Sequence, residues 1–182
     1  MTNSRARVLV VLGVVGILTF GTITAISFAQ GRFSSGLTRT ISSCGPNRPQ
    51  GTIVHITLSD RGGGMMGAGN LMMVGLGASP DSVPSGLVTF IATNVGALNH
   101  EFLILPAPRD GVGTRAVGTD GKIDESSSLA EASASCGQGP GQGISPGTSS
   151  WVSLHLAPGQ YELLCDLAWH YANGMFTPFS VR

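Results

Sequence analysis

The sequence predicts an all-β domain, a Greek-key sandwich of two sheets, behind an N-terminal transmembrane or signal helix. Three observations predict it. Short runs with a two-residue apolar alternation recur from Thr52 to the end. Glycine (27) and proline (10) are frequent enough to supply the turns between such runs. No strong helical periodicity follows the opening apolar segment, and there is no internal repeat.

Arg5 and Arg7 precede Val8–Phe28, 21 residues without a charge. The length suits an uncleaved anchor of roughly 20 apolar residues. Ser27-Phe28-Ala29 also fits the small-residue site of a cleaved signal peptide. Both readings give residues 1–29 to targeting and put the rest of the chain outside the cytoplasm, because the basic end stays inside. Residues 30–51 are rich in Ser, Thr, Gly and Pro and read as a flexible linker. Residues 52–182 remain as one domain, within the usual size of ~100–200 residues.

Along that domain, Thr52–Leu58 is the first predicted strand. Arg61–Asn70 is a Gly-Met loop, Leu71–Leu76 a short strand, and Ala78–Ser85 a turn with two prolines. Gly86–Asn94 is a strong strand, and His100–Leu105 follows as another. Pro106–Ser150 is an insertion rich in Gly and Ser, with a short helix expected over Asp124–Ala134, Asp124 serving as N-cap. A loop of this length is functional, for instance in recognising a partner, or a solvated linker. Ser149–Leu156 alternates, with Val152, Leu154 and Leu156 on one face. Ala157–Gln160 turns the chain into Tyr161–Cys165, and Met175–Arg182 is the last strand.

Charge excludes several functions. Ten basic residues balance ten acidic ones, and charged residues are only 11% of the chain. That leaves no basic footprint for nucleic acid and no polybasic patch for a lipid surface. Three cysteines are present: Cys44, Cys136 and Cys165. Cys44 and Cys136 lie in loop contexts and are expected to pair outside the cytoplasm. Such a bridge closes a loop of about 90 residues, worth up to about 4–5 kcal/mol in the chain-entropy model. The alternative leaves both as thiols. Cys165 ends an apolar run and is expected to be free.

Chemistry concentrates in Cys165-Asp-Leu-Ala-Trp-His170-Tyr-Ala-Asn-Gly-Met175, where four residues separate each of the three ligand types. His100 stands upstream in Asn-His-Glu-Phe. One thiolate, two imidazoles and a weak axial thioether suit copper in both oxidation states. Taken singly, Cys165 reads as a buried thiol and Met175 as a core side chain; the four in order at ligand spacing point to a metal. His55 and His155 read as ordinary strand histidines. Met65, Met66, Met72 and Met73 read as core and loop filler before a copper-loading site. Trp169 and Tyr171 pack the loop or form an apolar docking patch.

The segment resembles the ligand loop of the cupredoxins, the family of plastocyanin, azurin, rusticyanin and sulfocyanin. Pro158-Gly-Gln-Tyr-Glu-Leu-Leu-Cys165 is similar to the family's approach to its cysteine, and Gly174-Met175 to its ending. The resemblance runs from about Thr52 to Arg182 and is weakest over the insertion. It implies one type 1 copper held by His100, Cys165 and His170, with Met175 on the axis. It further implies a monomeric carrier, not an enzyme, that exchanges single electrons with protein partners. Copper enzymes on this sandwich use His-x-His pairs, and the chain has four histidines and no such pair. Glu101 and Asp166 depart from the small polar residues usual beside the family's ligands. The other functions compatible with the sequence are copper handling, as a chaperone or resistance protein, and a metal-free recognition sandwich.

Overall fold

The computed structural model describes residues 44–61 and 73–182. The targeting segment 1–29, linker residues 30–43 and loop 62–72 lie outside the described residues. All described residues belong to one unit, Thr38–Arg182.

Among the described residues the chain forms ten strands: β1 (Thr52–Arg61), β2 (Met73–Ser79), β3 (Ser82–Val83), β4 (Gly86–Asn94), β5 (Leu103–Pro106), β6 (Ala130–Glu131), β7 (Gly137–Gln138), β8 (Ser149–Leu156), β9 (Gly159–Leu164) and β10 (Phe176–Val181). The strands build two five-stranded sheets, ordered β2-β1-β4-β8-β7 and β3-β10-β9-β5-β6. Both sheets are mixed. β1 runs parallel to β4, and β3 parallel to β10, while β4–β8 and β9–β10 are antiparallel.

Alternation places the core between the sheets. Val54, Ile56 and Leu58 of β1 and Val88, Phe90 and Ala92 of β4 point inward at two-residue spacing. They meet Ile104, Leu163, Phe179 and Val181 from the second sheet. Phe90 is central, with ring centroids 5.4 Å from Phe102 and 5.2 Å from Phe179. Such tilted and edge contacts suit the ring quadrupoles.

The second sheet is apolar on both faces. Leu103, Leu105 and Leu164 point away from the central core and pack with Ile123 and Tyr171. The insertion covers this outer face. That is why β5 and the end of β9 read as continuous apolar runs. Glu162 is fully buried on the same side. Arg115 of the insertion donates to its Oε2, and Gly113 N–H and the Tyr171 hydroxyl donate to Oε1 at 2.7 and 2.9 Å.

The helix expected over Asp124–Ala134 is absent. Asp124 Oδ1 accepts instead from Ser126 N–H at 2.9 Å, an Asx turn that gives the backbone a local alternative to a helix. Ala130–Glu131 then pairs with β5, whose edge would otherwise be open. Nor is the insertion a solvated linker, since Ile123, Ala132, Ser133 and Ile144 are buried. β5 starts at Leu103 rather than His100, which makes a single bridge to Ile144.

Truncating Arg115 would leave Glu162 buried without a countercharge. Arg115→Ala is expected to cost about 3–5 kcal/mol in urea unfolding. Pairing Arg115→Leu with Glu162→Gln should recover part of that loss, because no naked charge remains.

Candidate metal centre

The site lies at one end of the sandwich, where β1, β4 and β9 finish and β10 begins. β9 delivers Cys165 one residue past its last pair. The chain then makes a loop with one short 3-10 helix, Tyr171–Asn173, closed by Gly174 at φ +90. Glycine adopts that backbone without strain. The loop's backbone is tied to itself: Cys165 N–H donates to Met175 O, and Met175 N–H to His170 O, both at 3.1 Å. These bonds bring the three loop residues of the predicted ligand set together. Cys165 and Met175 are fully buried, and His170 is 6% exposed.

His100 comes from the β4–β5 connection. Its N–H and C=O bond Ile144 at 3.2 and 2.7 Å. Buried Asn94 shapes the turn before it, donating to Leu98 O and Ile144 O at 2.7 Å and accepting from Gly96 N–H at 2.8 Å. Asp60, at the end of β1, holds the ring. Its Oδ1 lies 3.0 Å from His100 Nε2 and accepts Ala97 and Leu98 N–H at 2.7 and 2.9 Å. A Cβ at position 96 would overlap that same oxygen, so Gly96 is required for the close approach.

The remaining donor atoms converge. His170 Nδ1 is 3.3 Å from both His100 Nδ1 and Cys165 Sγ. The ligand atoms of His100, Cys165 and His170 all lie within 4.8 Å of one another, and all three residues are buried. Two ligand atoms bonded at about 2 Å to one ion at trigonal angles sit about 3.5 Å apart, so the spacing fits a shared metal. Among the described residues no other group of this kind occurs. His55 and His155 are exposed on β1 and β8 and take no part. Of the four methionines considered for copper loading, Met65, Met66 and Met72 fall outside the described residues.

Electrostatics keep the three donor side chains uncharged. Burial lowers the pKa of His100, outweighing the pull of Asp60. Burial and then the neighbouring His100 lower that of His170. Both rings are therefore neutral imidazoles at neutral pH, the form that ligates metals. With Nε2–H donated to Asp60, the neutral His100 turns a lone pair on Nδ1 into the site. Burial opposes ionisation of Asp60, but the hydrogen bonds from Leu98, His100 and Ala97 outweigh it and hold the carboxyl below its usual range. Burial pushes the Cys165 thiol up to about 12, although Glu101 N–H donates to Sγ at 3.2 Å. Metal binding must therefore displace a proton from Cys165. Burial also raises Glu101 and Asp166, the two carboxyls beside the ligands. Asp166 Oδ1 accepts Ile123 N–H at 2.7 Å, which ties the ligand loop to the insertion.

Asp60 and Asn94 escape sequence reasoning. Asp60 is 40 residues from His100, and nothing local marks it as a ring partner. Asn94 is visible only as the last residue of a predicted strand.

No protein-family model and no curated protein matches the chain. Solved structures do. The chain is similar to an auracyanin from Roseiflexus castenholzii, with 19% identity, 74% of this chain and 99% of that one covered, and a TM-score of 0.48. Auracyanin A, a blue copper protein from Chloroflexus aurantiacus, matches at 17% identity, 71% and 99% coverage and a TM-score of 0.45. Rusticyanin from Thiobacillus ferrooxidans matches at 22% identity, 73% and 79% coverage and a TM-score of 0.39. The likeness is one of fold.

The raised thiol sets an alkaline limit on the metal-free domain. In the unfolded chain Cys165 ionises near 9.0, while the folded chain keeps the proton to about 12. The unfolded state then binds fewer protons, so stability must fall as pH rises from 9 toward 12. Urea midpoints against pH are expected to show this decline. In Cys165→Ala it should start about one unit later, where Tyr171, also pushed up to about 12 by burial, begins to contribute.

Proposed function

We propose that the chain is a type 1 copper protein that carries single electrons between protein redox partners outside the cytoplasm. The observation that carries the reading is the convergence of His100 Nδ1, Cys165 Sγ and His170 Nδ1 in one buried pocket. Met175, buried on the same loop, would add a weak thioether to the residues that hold the ion. Copper supplies a one-electron couple between Cu(I) and Cu(II).

The residues do the rest. Asp60 orients His100 and fixes its tautomer. Glu101 N–H points at the sulfur and favours its thiolate. The hydrogen-bonded loop holds its three ligands in place before metal arrives, so little rearrangement accompanies a change of oxidation state. His170 comes closest to solvent of the set, and Trp169 beside it is 53% exposed. That edge is the route for electrons, with Trp169 and exposed Leu98 as apolar contacts for a partner. No step consumes a substrate, so the protein is a carrier and not an enzyme. The Cys44–Cys136 disulfide supports a place outside the cytoplasm. In this reading Val8–Phe28 stays in place as the membrane anchor.

Cu(II) added to residues 38–182 should give an intense visible band, bleached by ascorbate. Cys165→Ser is expected to abolish the band in a protein that still folds. A wild-type domain that is folded, takes up Cu(II) and stays colourless would overturn the proposal.

Asp60 should matter through His100 and through the turn that carries it, whose Ala97 and Leu98 N–H groups it accepts. Asp60→Ala is expected to weaken Cu(II) binding about 10–100-fold in competition titrations while the band persists.

A further inference from the structure

The disulfide has a consequence for where the chain enters the domain. Cys136 N–H donates to Ser149 O at 2.7 Å, and Gly137 pairs with Ser150. Ser149 in turn pairs with Thr93, one residue before Asn94. Asn94 bonds Ile144, which bridges to His100. Cys136 therefore lies at the metal end of the first sheet, two strands to the side of β4. At about 4.8 Å per strand that is roughly 10 Å.

Cys44 is joined to Cys136 with a Cα–Cα distance of 4.9 Å, so it lies at the metal end too. Gly51 lies at the other end. A Cβ on it would strike the carbonyl of Leu87, and Thr89 Oγ1 donates to Gln50 O at 2.7 Å. Leu87 and Thr93 are six residues apart on one strand, about 20 Å. The seven steps from Cys44 to Gly51 can span at most about 25 Å. The segment thus runs back along β4, nearly extended, from the metal end to the start of β1. Without the bridge, the first fixed point of the chain would be Gly51, at the end remote from the metal.

We propose that this disulfide is an orienting staple. It makes the N-terminal arm leave the domain beside the metal centre, and so keeps that centre within reach of the membrane for exchange with a redox partner embedded there. The proposal rests on the reading of Val8–Phe28 as an uncleaved anchor. Residues 29–43 can then reach at most about 55 Å from bilayer to staple. Without the staple, residues 29–50 could reach about 80 Å and would leave from the far end. The staple also accounts for the two cysteines, Cys44 before the domain and Cys136 in its insertion, that the candidate metal centre does not use.

The test uses the full chain, metal-free, in phospholipid vesicles carrying a dansyl-labelled headgroup. Of the two tryptophans, Trp151 is replaced (Trp151→Phe), so that exposed Trp169 at the metal end is the donor for energy transfer. The disulfide-intact chain should transfer to the headgroups, and Cys44→Ser/Cys136→Ser should reduce transfer at least twofold. Ten Gly-Ser residues inserted between Ser43 and Cys44 should also reduce it with the disulfide intact. Cys44→Ser alone, expected to lower transfer as the double variant does, decides the matter if the double serine variant does not fold. Equal transfer in all variants, or none from an intact chain that floats with the vesicles, overturns the staple. A chain that does not float with vesicles overturns the anchor reading, and the staple with it. Because no metal is needed, neither result depends on the copper assignment.

Discussion

One carboxylate oxygen, Oδ1 of Asp60, ties the end of β1 to the β4–β5 connection at the candidate metal centre. It stands one residue before the end of β1, accepts two N–H groups of the turn after β4, and meets the Nε2 of His100. Each contact needs the others. The turn can approach only because position 96 has no side chain, and Asn94 holds that turn from inside. His100 then has one nitrogen committed to the carboxylate and one left for the site. Hydrogen bonds to an ionised acceptor are among the stronger ones, and this one is shielded from solvent. The position of the upstream imidazole follows from the end of β1, far away in sequence.

The other half of the site depends on the outer face of the second sheet. β9 carries Cys165 at its end and Glu162 within it, and the insertion seals both regions. Ile123 fills the apolar layer and gives its N–H to Asp166. Arg115 meets Glu162, which also takes the Tyr171 hydroxyl next to His170. The ligand loop is thus clamped from behind by residues whose low-complexity surroundings read as linker. A buried carboxylate is tolerated there because Gly113, Arg115 and Tyr171 all donate to it.

Burial also explains how the three donor side chains can share one pocket. Two imidazolium ions and a thiolate could not be packed together out of water at small cost. The environment favours neutral rings and a protonated thiol, so these three side chains carry no net charge. The proton on Cys165 is the one chemical change needed before a soft cation can be held. The geometry is set beforehand by backbone bonds from Cys165 to Met175 and from Met175 to His170.

The sequence by itself determined what depends on local pattern. β4 and β8 match their predicted bounds because alternation over eight or nine residues is specific to a strand buried on one face. The spacing of Cys165, His170 and Met175 was legible because all three sit on one short loop. The helix expected at Asp124 was not formed, since a capping residue serves an Asx turn equally well and the open edge of β5 competed for the same segment. Tertiary structure alone decided the partner of His100, the fate of the insertion and the point where the N-terminal arm leaves. Asp60 meets His100, Arg115 meets Glu162 and Cys44 reaches the metal end only when distant segments pack. No residue's neighbours in the chain encode such contacts, because they arise from sheet order and register.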